Sequence, residues 1–167
     1  MKLILTNPAI SLRAMDQTDM ASLLEIYGST REQEMKRVPD WSDEMKREFI
    51  ASQFQAQHEY YQKNYPQGDF WIIESDKKKI GRLYVHENFR NQGVRIIDIT
   101  LLPAYRNRGI GNGILKDLMD KSAALNRPLS IHVESFNPAQ NLYTRLGFKK
   151  ISETNGVYHL MEWNNTI

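Results

Sequence analysis

The segment of this sequence with the most chemistry in it reads Leu101, Leu102, Pro103, Ala104, Tyr105, Arg106, Asn107, Arg108, Gly109, Ile110, Gly111, Asn112, Gly113. Three glycines leave backbone N–H groups uncovered by side chains. The apolar spacing that follows predicts a helix whose N-terminus adds a positive partial charge. Arg106 and Arg108 add full charges with the forked geometry that suits phosphate. Holding an anion is what such a segment can do. The bland alternative, a glycine-relieved turn without a ligand, needs neither three glycines nor two arginines. Two nucleotide loops are excluded. The dinucleotide fingerprint wants a third glycine where Ile114 stands, and it opens a repeated strand–helix–strand fold, whereas most of this chain precedes the segment. The triphosphatase loop wants glycine, lysine and a hydroxyl in succession, which do not occur here.

Other chemistries find less support. The 167 residues include no cysteine, which removes disulfides, thiolate nucleophiles and cysteine metal sites together. Ser130, His132 and Glu134 alternate onto one face of an expected strand. That spacing suits neither a nucleophilic triad nor a helical metal motif, and the other histidines (His58, His86, His159) are scattered, so no metal is expected. With 22 basic and 20 acidic side chains, a large nucleic-acid footprint is not expected. The longest apolar run, Phe70-Trp71-Ile72-Ile73, is far short of the roughly 20 residues of a membrane span. The apolar stretch near Met1 is too short for a signal peptide, so a cytoplasmic protein is expected.

The elements that must position the loop follow from periodicity. Residues 10–15 alternate as a strand. Asp16, Thr18 or Asp19 then caps a helix carrying Met20, Leu23, Leu24 and Tyr27, with Gly28 as its stop. A longer helix, capped by Ser42 or Asp43, carries Met45, Phe49, Phe54 and Tyr61 as far as Pro66. Residues 70–74 and 80–86 read as strands around a turn at 76–79 whose three lysines form a solvated tip. Residues 94–102 form a third strand, 109–125 a helix, 129–134 a strand, and Asn137-Pro138 opens a short helix that stops at Gly147. Strands at 148–152 and 157–163 close the chain. The expected architecture is one α/β domain over residues 1–167: a mixed, mostly antiparallel sheet flanked by helices, with a parallel strand–helix–strand crossover from Val94 to Glu134.

Arg106-Asn107-Arg108-Gly109-Ile110-Gly111 resembles the acetyl-CoA pyrophosphate loop of the GNAT superfamily of N-acetyltransferases. The run from Ile131 through Asn137, Leu142 and Tyr143 to Gly147-Phe148 resembles that family's next motif. Both occur in the family's order and separation. The close matches cover residues 94–148, and the element order extends the likeness over the chain.

The resemblance implies roles. Amides from Arg106 to Gly111 would hold the pyrophosphate, with Asn112 and Gly113 opening the helix beside it. Leu101 and Leu102 would pair by backbone with the pantetheine arm and steady the oxyanion, and Asn137 would meet the same arm. Asn137 reads equally as a plain helix cap. Tyr143 would be the acid toward the departing thiolate; its bland alternative is a core tyrosine with Leu142 and Leu146. An amine acceptor also needs a base. Asp98, on the strand that delivers the cofactor and sharing a face with Ile96 and Thr100, is the first candidate. It reads equally as a buried partner for an arginine or for His132. Glu134 is the second.

The implied function is transfer of an acetyl group from acetyl-CoA, as co-substrate, to a primary amine on a small molecule or protein, directly within a ternary complex. Trp41, Tyr60, Tyr61 and Tyr65 could line an acceptor pocket, or be core. The rivals are a non-catalytic acyl-CoA sensor and a transferase acting on charged transfer RNA. A homodimer fits the family.

Overall fold

The structure, a computed structural model, describes residues 1–165. In chain order its elements are β1 (Ile10–Ala14), α1 (Met20–Ser29), α2 (Glu32–Lys36), α3 (Asp43–Asn64), β2 (Asp69–Ser75), β3 (Lys78–His86), β4 (Val94–Leu101), α4 (Ile110–Ala124), β5 (Leu129–Glu134), α5 (Ala139–Arg145), β6 (Lys149–Thr154) and β7 (Tyr158–Trp163). The strands form one seven-stranded sheet in the order β1-β2-β3-β4-β5-β7-β6. Every pairing is antiparallel except β4 with β5, as the sequence pattern predicts.

Two apolar layers sandwich the sheet. On one face Ile114, Leu115 and Leu118 of α4 and Tyr143 of α5 pack on Leu83, Val85, Val94 and Ile96. On the other, Leu23 and Tyr27 of α1 and Phe54 of α3 pack on Ile72 and Tyr84. The early helices depart from expectation in two ways. Gly28 does not stop α1, which runs on to Ser29. It sits where α1 meets α3, a Cβ there standing 3.5 Å from Ile50 Cγ2, so its small size serves helix packing. The extra helix α2 contains no buried residue, and so gives no apolar stripe to read.

The feature that shapes the site is in β4. Tyr84 pairs with Asp98 and Val85 with Ile96, which leaves Ile97 as one residue too many. This bulge resets the alternation of side chains. Ile96 packs on the α4 side and Ile97 on the α1–α3 side. Asp98 therefore does not share a face with Ile96, as uninterrupted alternation predicts, but with Thr100, whose hydroxyl donates to Asp98 Oδ1 at 2.7 Å. Beyond the bulge β4 also leaves β5. The two pair only from Val94–Leu129 to Ile96–Ile131, while β4 runs on to Leu101 and β5 to Glu134.

The β2–β3 turn is tighter than expected. Asp76 and Lys77, both with positive φ, make the whole turn, and Lys78 and Lys79 belong to β3. Lys79 is not a solvated tip, because its Nζ lies 2.7 Å from Asp19 Oδ1. Asp19 is fully buried and also accepts from Arg13 Nη1 and Nη2, at 3.0 and 2.8 Å, and from the Asp16 amide at 2.9 Å.

The Arg13 hydrogen bonds first, then Lys79 and the Asp16 amide, hold the Asp19 carboxyl far below its ordinary value despite its burial. A group depressed in the folded state stabilises fully above its unfolded value of about 3.9, and that share is lost as pH falls through the folded value. Asp19→Asn should lower stability at pH 7 by about 3 kcal/mol. Its Tm should also fall less steeply than the wild type's from about pH 5 downward; thermal melts across that range check both.

Candidate functional site

The loop after β4 is built to present donors. A 3₁₀ turn at Pro103–Tyr105 takes the chain off the strand, and Asn107 (φ 60°) and Gly109 (φ 81°) are both left-handed. Gly109 caps α4, whose first closed turn bonds the Gly113 amide to the Gly109 carbonyl at 2.9 Å. Among the described residues, the amides of residues 107–112 donate to no protein acceptor. Such a run of open N–H groups in left-handed and first-turn conformations is an anion nest on a helix N-terminus. A Cβ at Gly109 or Gly113 would meet nothing within 4 Å, so a ligand has room to approach the backbone there.

The arginines of the loop are engaged locally. Arg106 Nε donates to the Leu101 carbonyl at 2.8 Å and Nη2 to Ser29 Oγ at 3.2 Å, tying the loop to β4 and α1. The Arg108 guanidinium lies 5.6 Å from the Tyr105 ring centre.

Upstream, the Leu102 amide donates to the Ile80 carbonyl at 2.8 Å, so it faces β3 and is not open. Alternation then turns the Thr100 groups toward β3 and those of Ile99 and Leu101 toward the gap left by β5. Ile99 and the Leu101 amide, not Leu102, carry the open polar edge, the Leu101 carbonyl being taken by Arg106. An unpaired strand edge is a template for an added strand.

Asp98 is fully committed. Oδ1 accepts from Arg82 Nε at 3.1 Å and from Thr100; Oδ2 accepts from Arg82 Nη2 at 2.9 Å and from Tyr61 at 3.0 Å. Arg82, 2% exposed, gives its remaining reach to Gln57 Oε1 at 2.7 Å. Burial first, and then the Asp98 charge, raise the Tyr61 phenol far above its ordinary value. Tyr61 thus belongs to a buried network that ties α3 to the bulge. Arg82 lay unremarked inside the expected strand 80–86, where only a contact map gives it a role.

Tyr143 stands on the opposite face, in contact with Phe148 and the α4 layer. Its hydroxyl has no hydrogen-bond partner among the described residues and is not sealed from solvent. Burial, and then the Asp98 charge, push its phenol above the ordinary value of 10. Asn137 Oδ1 accepts from the Ala139 amide at 2.9 Å, so its oxygen caps the α5 turn, and the helix itself begins one residue past Pro138. Glu134 ends β5 at the gap. Its carbonyl holds Gln140 and the Asn137 amide, and its carboxylate makes no ion pair among the described residues. His132 on the same strand keeps part of its surface in solvent, and the partial desolvation of its ring, followed by the Arg95 charge, lowers its pKa.

A family model described as the acetyltransferase (GNAT) family matches residues 31–148, more than half of the chain. The chain belongs to the GNAT acetyltransferase family. As a GNAT protein it is an acyltransferase, and the family's reaction takes an acetyl group from acetyl-CoA. The PaiA N-acetyltransferase of Thermoplasma acidophilum, in complex with coenzyme A, is similar at 17% identity and a TM-score of 0.65, over 93% of this chain and 98% of that one. An acetyltransferase of Thermus thermophilus is similar at 12% and 0.68, over 93% and 97%. yncA of Salmonella typhimurium, with its cofactor acetyl-CoA, is similar at 20% and 0.56, over 93% and 94%. At these identities the likeness is one of fold. No curated protein matches the sequence. Among the described residues no helix is long and apolar enough to cross a membrane.

In this GNAT chain, removing one member of the buried ion pair leaves the other uncompensated. Asp98→Ala should cost about 3–5 kcal/mol in chemical denaturation, and replacing Arg82 and Asp98 together with apolar residues should recover most of that loss.

Proposed function

We propose that this protein is an N-acetyltransferase that moves the acetyl group of acetyl-CoA to a primary amine, on a small molecule or a protein, within one ternary complex. The observation that carries this reading is the parting of β4 from β5, which leaves an open strand edge leading to the open amides of residues 107–112. The two features fit the two halves of a coenzyme A. The nest suits a pyrophosphate, with Gly109, Ile110, Gly111 and Asn112 as donors. The edge at Ile99 and Leu101 suits the amide-bearing pantetheine arm. Arg106, held on the Leu101 carbonyl, fixes the corner between them. Asn137 keeps its amide nitrogen for the same arm, its oxygen being engaged as a cap.

Bound acetyl-CoA supplies the thioester carbon that an amine attacks. An open β4 amide near Ile99 steadies the carbonyl oxygen. Glu134 takes the amine proton, directly or through water, because its carboxylate is free of ion pairs at the gap. Asp98, with both oxygens held by Arg82, Tyr61 and Thr100, is assigned to holding the bulge instead. Tyr143 faces the departing sulfur. Even an ordinary phenol near 10 gives its proton to a thiolate of pKa near 8.5 at an uphill cost of about 2 kcal/mol. Burial raises that cost, so Tyr143 serves as a hydrogen-bond donor to sulfur and not as the source of a fully transferred proton. With no cysteine in the chain, no acyl-cysteine intermediate exists, in keeping with direct transfer.

Coenzyme A release read with a thiol reagent across a panel of amines tests this, and the protein adds no thiol background. One class of amine should drive release, and Tyr143→Phe should lower kcat about 10–100-fold with little change in KM. Since the phenol stays protonated, kcat should show no alkaline fall from Tyr143 up to about pH 10. Release that no amine or protein acceptor stimulates, or that Tyr143→Phe leaves at the wild-type rate, would overturn the reading.

A further inference from the structure

Beside the parting strands, on the α3 face of the sheet, lies a cavity of about 350 Å³. Arg95 of β4 and His132 of β5 line it from the sheet, and Tyr65, Phe89 and Arg90 line it from the neighbouring segments. Arg95 is 6% exposed. Its Nε donates to Ser130 Oγ at 2.9 Å. No carboxylate or carbonyl among the described residues accepts from its two Nη atoms, and the residue lines the cavity. No carboxylate among the described residues lies within ion-pair distance of it. The Tyr65 hydroxyl stands close beside the guanidinium and eases its charge, and Glu162, which pairs with Ser130 across the sheet, does so through its charge.

Arg90 brings a second cation to the same place. Its guanidinium carbon is 4.8 Å from the Phe89 ring centre, and that of Arg95 is 4.9 Å from the same ring. Arg90 holds this position with a left-handed backbone, φ 51° and ψ 32°, a conformation that a non-glycine residue seldom adopts. Two arginines gathered on one ring with no carboxylate between them are an arrangement that an anion relieves. Burial, and secondarily Arg90, lower the pKa of Arg95 in its absence. With Nε engaged, the free end of the Arg95 fork presents two parallel donors, the match for two carboxylate oxygens.

We propose that this cavity is the acceptor's anion subsite, in which Arg95, assisted by Arg90, binds the carboxylate of an amine whose amino and carboxylate groups lie roughly 7–10 Å apart. The distance is two to three residues of strand rise, from Arg95 to the bulge at Ile97 and Asp98 where the strands part. The assignment rests on the transferase reading, and it names the substrate class that reading leaves open. Tyr65 and Phe89 flank the stem of such an acceptor.

The test compares 6-aminohexanoate with hexylamine in the thiol-release assay. The wild type should favour the amino acid at least tenfold in kcat/KM, about the worth of one charge-assisted hydrogen bond. That ratio should fall toward one in Arg95→Gln, chiefly through KM, and partway in Arg90→Ala, an exposed position that carries the test if Arg95→Gln fails to fold. Calorimetric titration of hexanoate into the protein with coenzyme A present reads the subsite without turnover. Binding that weakens at least tenfold in Arg95→Gln upholds the subsite even where no amine releases thiol, in which case the transferase reading alone fails. A wild-type ratio near one, a ratio that both variants leave intact, or an inactive protein that binds no hexanoate overturns the proposal.

Discussion

Ile97 has no partner on β3, and the site is arranged around that surplus residue. Without it, β4 would alternate evenly, Asp98 would point at α4, and nothing would prompt the strand to leave β5. With it, the strand twists and kinks, as bulged strands do. Ile96 is the last β4 residue paired with β5, and the polar groups of Ile99 and the amide of Leu101 are left without a strand beside them, the Leu101 carbonyl being taken by Arg106. The unpaired edge and the nest of residues 107–112 then lie end to end along one stretch of backbone.

A bulge of this kind must be held, and the holding is electrostatic. Arg82 reaches from β3 to Asp98 just past the surplus residue, while Tyr61 and Gln57 bind the pair from α3. A buried ion pair adds little net stability over an apolar pair of the same shape, but it tolerates only one geometry once it is made. That fits a position where geometry matters more than stability. Tyr143, on the opposite face, feels Asp98 only through its charge, so the two residues that sequence reasoning paired as acid and base lie on different sides of the sheet.

Much of this was legible in the sequence, because the responsible signals are local. Glycines with two arginines after a strand mark a nest, apolar periods of two and 3.6 mark the layers, and the Gly-Phe after α5 marks the return to the sheet. What stayed hidden is non-local. Nothing in Ile96-Ile97-Asp98 distinguishes a bulge from even alternation, since no glycine marks it. The partners of Asp98 come from β3 and α3, which no spacing joins to it. Arg95 is one polar residue inside the strand expected at 94–102, and only the three-dimensional fold brings Arg90 and Phe89 beside it. The Leu102 amide, one residue past the open one at Leu101, turns to β3, a difference that no spacing in the sequence marks.

Amide hydrogen exchange on the protein with and without coenzyme A bears most directly on the central claim, that the open β4 edge and the α4 nest together receive the cofactor. Protection should rise at Ile99, at Leu101 and across residues 107–112 when coenzyme A is added, while Thr100 and Leu102, already bonded toward β3, change little. Coenzyme A that binds yet leaves those open amides exchanging as fast as before would contradict it.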